Sequence, residues 1–152
     1  MLKILLIVSL FLTTNFSSAQ TKSYSLEMAQ DLQKQVDKPL LIFLHADWCA
    51  YCKAFLATTF KNNEVEKLIQ EKFYFVKINT EEKKSIQYHN KTYHFQPTGY
   101  KIGIHEIVKA LIPTNKTSNV PILLIKNSKD ETLFYHDGYL KSSELIEVLN
   151  QF

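Results

Sequence analysis

The sequence contains no arginine, only three glycines and four prolines, and just two cysteines. Each shortage closes off a class of protein. Nucleic-acid binders show clustered basic residues and use the guanidinium fork for bidentate contacts to bases and phosphates. Here the positive charge is all lysine, it is scattered, and the net charge is only +3. A solvated, mildly basic surface with no nucleic-acid partner is the expectation. The few glycines and prolines, with 45% hydrophobic and 22% charged residues, exclude a fibrous or disordered chain. Two cysteines cannot build a multi-disulfide framework. A chain of 152 residues needs none, because it is long enough to bury a core as one domain. There is no internal repeat and no low-complexity stretch.

A long apolar run is also missing. Ile4 to Leu12 follows the positive Lys3 and is interrupted by Thr13, Thr14 and Asn15, whereas a bilayer span needs about 20 apolar residues. Small residues Ser17, Ser18 and Ala19 then precede Gln20, so residues 1–19 read as a secretory signal peptide cleaved near Ala19/Gln20. No cysteine follows the run to take a lipid, and nothing after Gln20 resembles a transmembrane segment. The mature chain, 20–152, is expected in the periplasm or outside the cell without stable membrane insertion. Disulfides form and persist there, which makes two cysteines informative.

The apolar spacing of Leu26, Ala29, Leu32 and Val36 predicts an amphipathic helix over Ser25 to Val36, capped by Ser25 and ended near Pro39. Leu40 to Leu44 is an unbroken apolar run too short for a helix, and it reads as a strand buried on both faces. A helical pattern resumes over Cys52 to Phe60 and extends or restarts over Glu64 to Glu71. Phe73 to Asn79 is a second central strand. This order implies parallel pairing through a crossover. Between residues 81 and 119, Ile86 to Tyr88 and Thr92 to Phe95 flank a turn at Asn90 and predict a small hairpin. Pro97, Gly99 and Gly103 break the chain, Ile104 to Ile112 reads as a helix, and Pro113 to Asn119 as a loop. Ile122 to Ile125 and Thr132 to His136 predict an antiparallel hairpin. A last helix, capped by Ser142 or Ser143, presents Leu145, Ile146, Val148 and Leu149.

The chemistry lies in Trp48-Cys49-Ala50-Tyr51-Cys52. Two cysteines three residues apart at a strand-to-helix junction meet within disulfide geometry, yet such a small loop removes little entropy from the unfolded chain. Stability is a poor reason for the pair, and reactivity is a better one. A sulfur at the first helical turn faces unsatisfied N–H groups and the positive end of the helix dipole, which favour thiolate. Cys49 is expected to attack, and Cys52, one turn deeper, to resolve the mixed disulfide. Trp48 either shields the site and shapes its rim or packs in the core. A structural zinc would need four ligands, and there is no second cysteine pair. The histidines His45, His89, His94, His105 and His136 come from scattered segments and are expected at the surface or in packing. Lys53 stands where c-type haem attachment needs histidine. No metal and no cofactor are called for.

The run Leu40 to Lys53, with this motif inside it, resembles the active-site strand and helix start of the thioredoxin family. Phe75 to Asn79 resembles the family's next central strand, and Val120 to Asn127 the strand that opens with its cis-proline. Asp137-Gly138-Tyr139 and Ser143 to Phe152 resemble the end of that fold. The resemblance covers most of residues 20–152 and implies an α/β, thioredoxin-like fold, with a central mixed β-sheet flanked by helices. It makes about 81–119 an insertion before the cis-Pro strand. It implies that Pro121 is cis and lies against the Cys49 sulfur, where the Val120 backbone would pair with an extended substrate segment. A trans proline at a strand's first residue is the plainer reading of Val120-Pro121 taken alone.

Two departures from the family stand out. Phe43 occupies the position of a buried acid, while Lys77 matches that acid's lysine partner. Asp47 and Lys77 are then the candidates for proton transfer, although Asp47 reads equally as a solvated residue and Lys77 as a side chain that snorkels outward. The longer stretch before Pro121 brings Tyr88, Tyr93, Phe95 and Tyr100, as packing for a subdomain or as a partner-binding rim. The resemblance implies a thiol-disulfide oxidoreductase that exchanges disulfides with exported proteins and is recycled by a further redox partner. Tyr51 before the second cysteine resembles periplasmic disulfide isomerases and the overall layout resembles reductases. The competing readings are a non-catalytic module that binds a partner and a carrier of a soft ion such as copper(I).

Overall fold

The computed structural model describes residues 21–152. The signal-peptide reading of residues 1–19 lies outside the described residues. Helix α1, Leu26–Gln35, begins where the sequence indicates: the Ser25 side chain accepts the Met28 N–H, and Leu26 and Ala29 face inward. Strand β1, Leu40–His45, buries every side chain but its last. It pairs in parallel with β2, Tyr74–Asn79, and antiparallel with β7, Ile122–Lys126, which in turn pairs antiparallel with β8, Thr132–Asp137. The four-stranded sheet has the order β2-β1-β7-β8, so the two most apolar strands are central.

Alternation along β1 divides the core into two. Leu41 and Phe43 pack with α2, Ala50–Ala57, with α3, Asn63–Lys72, and with α5, Ser142–Leu149. Leu40, Ile42 and Leu44 point the other way, toward α1 and α4, Glu106–Leu111. Each such side chain, fully buried, contributes about 1.5–3 kcal/mol. The helical pattern after Cys52 restarts rather than extends: it passes through a short 3-10 turn, Thr59–Lys61, and Asn62 caps α3 by accepting from the N–H groups of Glu64 and Val65. Serine does not cap α5. The helix already begins at Ser142 with Lys141 as its cap residue, and the Glu144 carboxylate folds back to accept the Lys141 N–H at 2.7 Å.

The stretch before Pro121 differs from the expectation in two places. The first hairpin pairs β3, Ile86–Tyr88, with β4, Lys91–Tyr93, through His89 and Asn90 at φ 48° and 60°, the pattern of a type I′ turn. Phe95 leaves it to start a second hairpin, β5, Phe95–Gly99, with β6, Ile102–His105. Pro97, Gly99 and Gly103 are therefore strand residues of an exposed two-stranded ribbon, where a missing N–H or side chain costs little. Gly103 has a specific reason: a Cβ there would meet the Phe95 ring and the Gln96 carbonyl, each at 2.3 Å. Because Ile104 and His105 finish β6, the following helix is shorter than the sequence indicates, with His105 as its cap.

Candidate active site

The site is built at the C-terminal end of β1. After His45 the chain turns so that the Ala46 carbonyl accepts the Cys49 N–H at 3.1 Å. Cys49 keeps extended backbone angles, φ −75° and ψ 109°, and is the N-cap of α2. Its Sγ accepts the Cys52 N–H at 3.1 Å, in place of the hydroxyl or carboxylate oxygen that usually caps a helix. The two cysteines are joined as a disulfide with their Cα atoms 5.2 Å apart. Cys49 is 4% exposed and Cys52 1%, so in the oxidised state both sulfurs lie close beneath the surface, Cys52 deeper.

Around the disulfide the surface is apolar and open. Trp48 is 68% and Tyr51 69% exposed, so the Trp48 side chain is not packed in the core. Its Nε1–H donates to the Glu81 carboxylate at 3.0 Å. Glu81 went unnoticed in the sequence because the contact spans 33 residues, although an acid two positions beyond β2 was its only signal. Ala50, beside Tyr51, is exposed as well.

Beneath the pair the core is aromatic. Phe43 is fully buried, with ring centroids 5.1 Å from both Phe55 and Phe60. The β1–β2 register sets Phe43 opposite Lys77, as the resemblance indicates, but Lys77 is exposed and has no buried acid to meet. Asp47 is exposed. Both act on His45, whose half-buried ring stacks on Phe43. Burial pushes the His45 imidazole below its ordinary pKa, the Asp47 carboxylate opposes this, and the Lys77 ammonium adds to it.

The Val120–Pro121 peptide bond is cis. Val120 packs against the cysteine-side core and also against the opposite one. The Pro121 carbonyl accepts the Gly138 N–H at 2.8 Å, and among the described residues no backbone hydrogen bond engages Val120. The stretch before Pro121 reaches the site through its backbone: the His45 carbonyl accepts the Thr80 N–H at 2.8 Å, and the Thr80 carbonyl accepts the His105 N–H at 2.7 Å. Among the described residues no group of three His, Cys, Asp or Glu side chains is gathered as a metal would require.

The family model for the thioredoxin-like domain matches residues 26–152. The chain belongs to the thioredoxin-like family. With both cysteines present and paired at the start of α2, this thioredoxin-like protein is a thiol-disulfide oxidoreductase. Solved structures with the same fold include a DsbH oxidoreductase at 17% identity, with 93% of this chain and 90% of that one covered and a TM-score of 0.61. A thioredoxin from Thermus thermophilus matches at 13% identity, 87% and 86% coverage and a TM-score of 0.60. The reduced C-terminal domain of DsbD from Neisseria meningitidis matches at 23% identity, 83% and 92% coverage and a TM-score of 0.56. No curated protein matches the sequence.

Proposed function

We propose that the thioredoxin-like protein is exported and exchanges disulfides with exported proteins in the reductase or isomerase direction, with Cys49 attacking and Cys52 resolving. The observation that carries the reading is the N-cap position of Cys49. A sulfur that already accepts a helical N–H, at the positive end of the helix dipole, is favoured as a thiolate. Cys52, less exposed and one turn on, is within disulfide reach of Cys49 and attacks its Sγ once a mixed disulfide has formed.

The other parts of the site have roles that follow from their positions. Trp48, Ala50 and Tyr51 form the surface that an incoming protein disulfide covers. Val120, which no backbone hydrogen bond engages among the described residues, offers its N–H and carbonyl to an extended substrate segment next to the cis Pro121. Asp47 and Lys77 are the polar side chains that the sequence offers for proton transfer at this end of the sheet. Export rests on the leader pattern in residues 1–19, after which the protein works in the periplasm or outside the cell. Among the described residues no helix is long and apolar enough to cross a membrane. A further redox protein must recycle the pair.

The test is trapping. A Cys52→Ser variant accumulates mixed disulfides through Cys49, and the captured proteins identify both substrates and recycling partner; a Cys52→Ser protein that captures nothing through Cys49 overturns the assignment. Direction is read from the potential of the pair. A value near thioredoxin's, about −270 mV, marks a reductase, and one near −120 mV marks an oxidase and contradicts the direction proposed.

A further inference from the structure

Resolution of a mixed disulfide requires the Cys52 thiol to lose its proton, and the buried position that carries an acid in thioredoxins holds Phe43 here. The same face of the same strand supplies another group. Alternation places Leu41, Phe43 and His45 on the side of the sheet that carries both cysteines. The His45 ring stacks on Phe43, with 5.8 Å between centroids and 17° between planes, and Phe43 in turn contacts Phe55, one turn beyond Cys52. The chain runs from His45 directly into Ala46, whose carbonyl holds the Cys49 N–H. The imidazole thus lies at the base of the loop that bears the sulfurs, half-buried and still open to solvent on one side.

We propose that His45 is the proton acceptor of the resolving step, in place of the acid that Phe43 displaces. This rests on the thiol-disulfide reading above and names the group that completes it. In the mixed disulfide, Cys49 Sγ is bonded to a substrate sulfur. The Cys52 thiol gives its proton to the neutral His45 imidazole, directly or through one water, and the thiolate attacks Cys49 Sγ. The Cys49–Cys52 bond forms as the Cys49–substrate bond breaks, and the electron pair leaves on the substrate thiolate. That thiolate is reprotonated by the imidazolium or by solvent. Two electrons pass from the cysteine pair to the substrate disulfide, and no outside oxidant or reductant enters.

The surroundings of His45 keep the imidazole available as a base. Burial and the Lys77 ammonium on β2 favour its neutral form, and the Asp47 carboxylate limits the effect. On its other side β1 is flanked by β7, which begins at Ile122 opposite Leu44, and the residue leading into it is Pro121, which does not titrate. At the start of α2, Cys49 and Cys52 lie on the same face of the sheet as Phe43, on which the imidazole stacks. Asp47 and Lys77 then tune the imidazole rather than receive the proton from Cys52.

The experiment uses the reduced protein and the chromogenic disulfide dithionitrobenzoate. Attack by Cys49 releases the first coloured thiolate, and resolution by Cys52 releases the second. His45→Gln preserves polarity and approximate size but takes up no proton. It slows the second release at least about tenfold, more than it slows the first, and removes the decline of the second rate below about pH 6.5. An unchanged second phase with an unchanged pH profile overturns the assignment. A second measurement needs no variant: in the wild type the His45 ring titrates at different pH in the reduced and oxidised states, because only the reduced state has ionisable sulfurs beside it. Identical midpoints overturn the assignment. A wild-type protein that releases no second thiolate overturns the oxidoreductase reading and His45 with it.

Discussion

The two faces of the central sheet are held together by different physics. On the cysteine side the core is apolar and aromatic, and Phe43, Phe55, Phe60 and Phe75 pack ring against ring under the disulfide. On the other side, apolar packing by α1 and α4 is supplemented by polar pins that hold the two hairpins before α4. The Asp130 carboxylate, in the turn between β7 and β8, accepts from the Tyr88 hydroxyl and pairs with the Lys126 ammonium at 2.9 Å. His105 bridges the Lys84 carbonyl and the Ile107 N–H. Among the described residues no fixed charge is buried beneath the cysteine pair. The charges that fasten the added hairpins are on the far side.

The largest expected effect breaks this division directly. Phe43→Ala removes the ring that joins β1 to α2 and costs about 3–5 kcal/mol, measured by urea unfolding. It also slows disulfide exchange per folded molecule, because the support of the cysteine-bearing helix is lost. Ile42→Ala, one residue away on the opposite face, costs about 2–5 kcal/mol and leaves exchange per folded molecule within about twofold. Equal slowing by both variants would show that the two faces are not functionally separate.

Asp130→Asn sharpens the comparison from the other side. It leaves the Lys126 side chain, only 5% exposed, without its counter-charge and weakens the contact to Tyr88. The Tyr88 hydroxyl itself is held protonated, its pKa pushed up by burial and then by its bond to Asp130. Because Asp130 is partly exposed, the loss is about 1–3 kcal/mol rather than that of a fully buried pair. Amide exchange should accelerate in β3 and β4 and stay unchanged in β1 and α2. Uniform acceleration across the sheet would contradict a locally pinned hairpin.

His105 gives the same region a pH dependence. Its Nδ1 accepts the Ile107 N–H and its Nε2–H donates to the Lys84 carbonyl, a pairing that only neutral imidazole satisfies. Burial lowers its folded pKa below the ordinary 6.5, so on acidification the unfolded chain binds the proton first. The stabilisation is complete above about pH 6.5 and is lost as pH falls through the lower folded value. His45, lowered in the same direction, adds to the same window. Glu82 and Glu106, whose folded pKa values are also lowered, lose their contribution only below about pH 4.5. Between pH 7.5 and 5 the slope of unfolding free energy should shrink in His105→Gln and shrink further when His45 is also replaced. A slope that is unchanged in the single variant would remove His105 from the account.

What was legible in the sequence follows the same division. Leu40 to Leu44 announced a central strand because both faces of the sheet are covered, and the helical spacing of α1 and α3 survived because one stripe of each is buried. The cysteine motif was legible because its chemistry is local, whereas the cis bond at Val120-Pro121 followed only from the family resemblance, since taken alone the dipeptide reads as trans. The ribbon of β5 and β6 was not legible, since it is largely exposed and carries too little apolar alternation to stand out, and its Pro97 and Gly103 resemble breaks. His45 and Glu81 were missed for another reason. Their roles exist only once β1, β2 and the following loop are brought together, and no spacing along the chain encodes that meeting.

The smallest effect concerns the one point where the two regions touch at the active site. Glu81, at the start of the stretch that leads to the hairpins, accepts from the Trp48 indole, while the neighbouring Thr80 N–H donates to the His45 carbonyl. The side-chain contact is exposed, so Glu81→Ala should change the unfolding free energy by less than about 1 kcal/mol. Its consequence is local order: without the acceptor, the indole rim beside Cys49 gains freedom. Trp48 is the sole tryptophan, so its fluorescence anisotropy reports that freedom without interference. Anisotropy should fall in Glu81→Ala and be largely retained in Glu81→Gln, whose amide oxygen still accepts. If both variants keep the wild-type anisotropy, packing alone holds the ring, and the added stretch meets the cysteine site through the Thr80 backbone only.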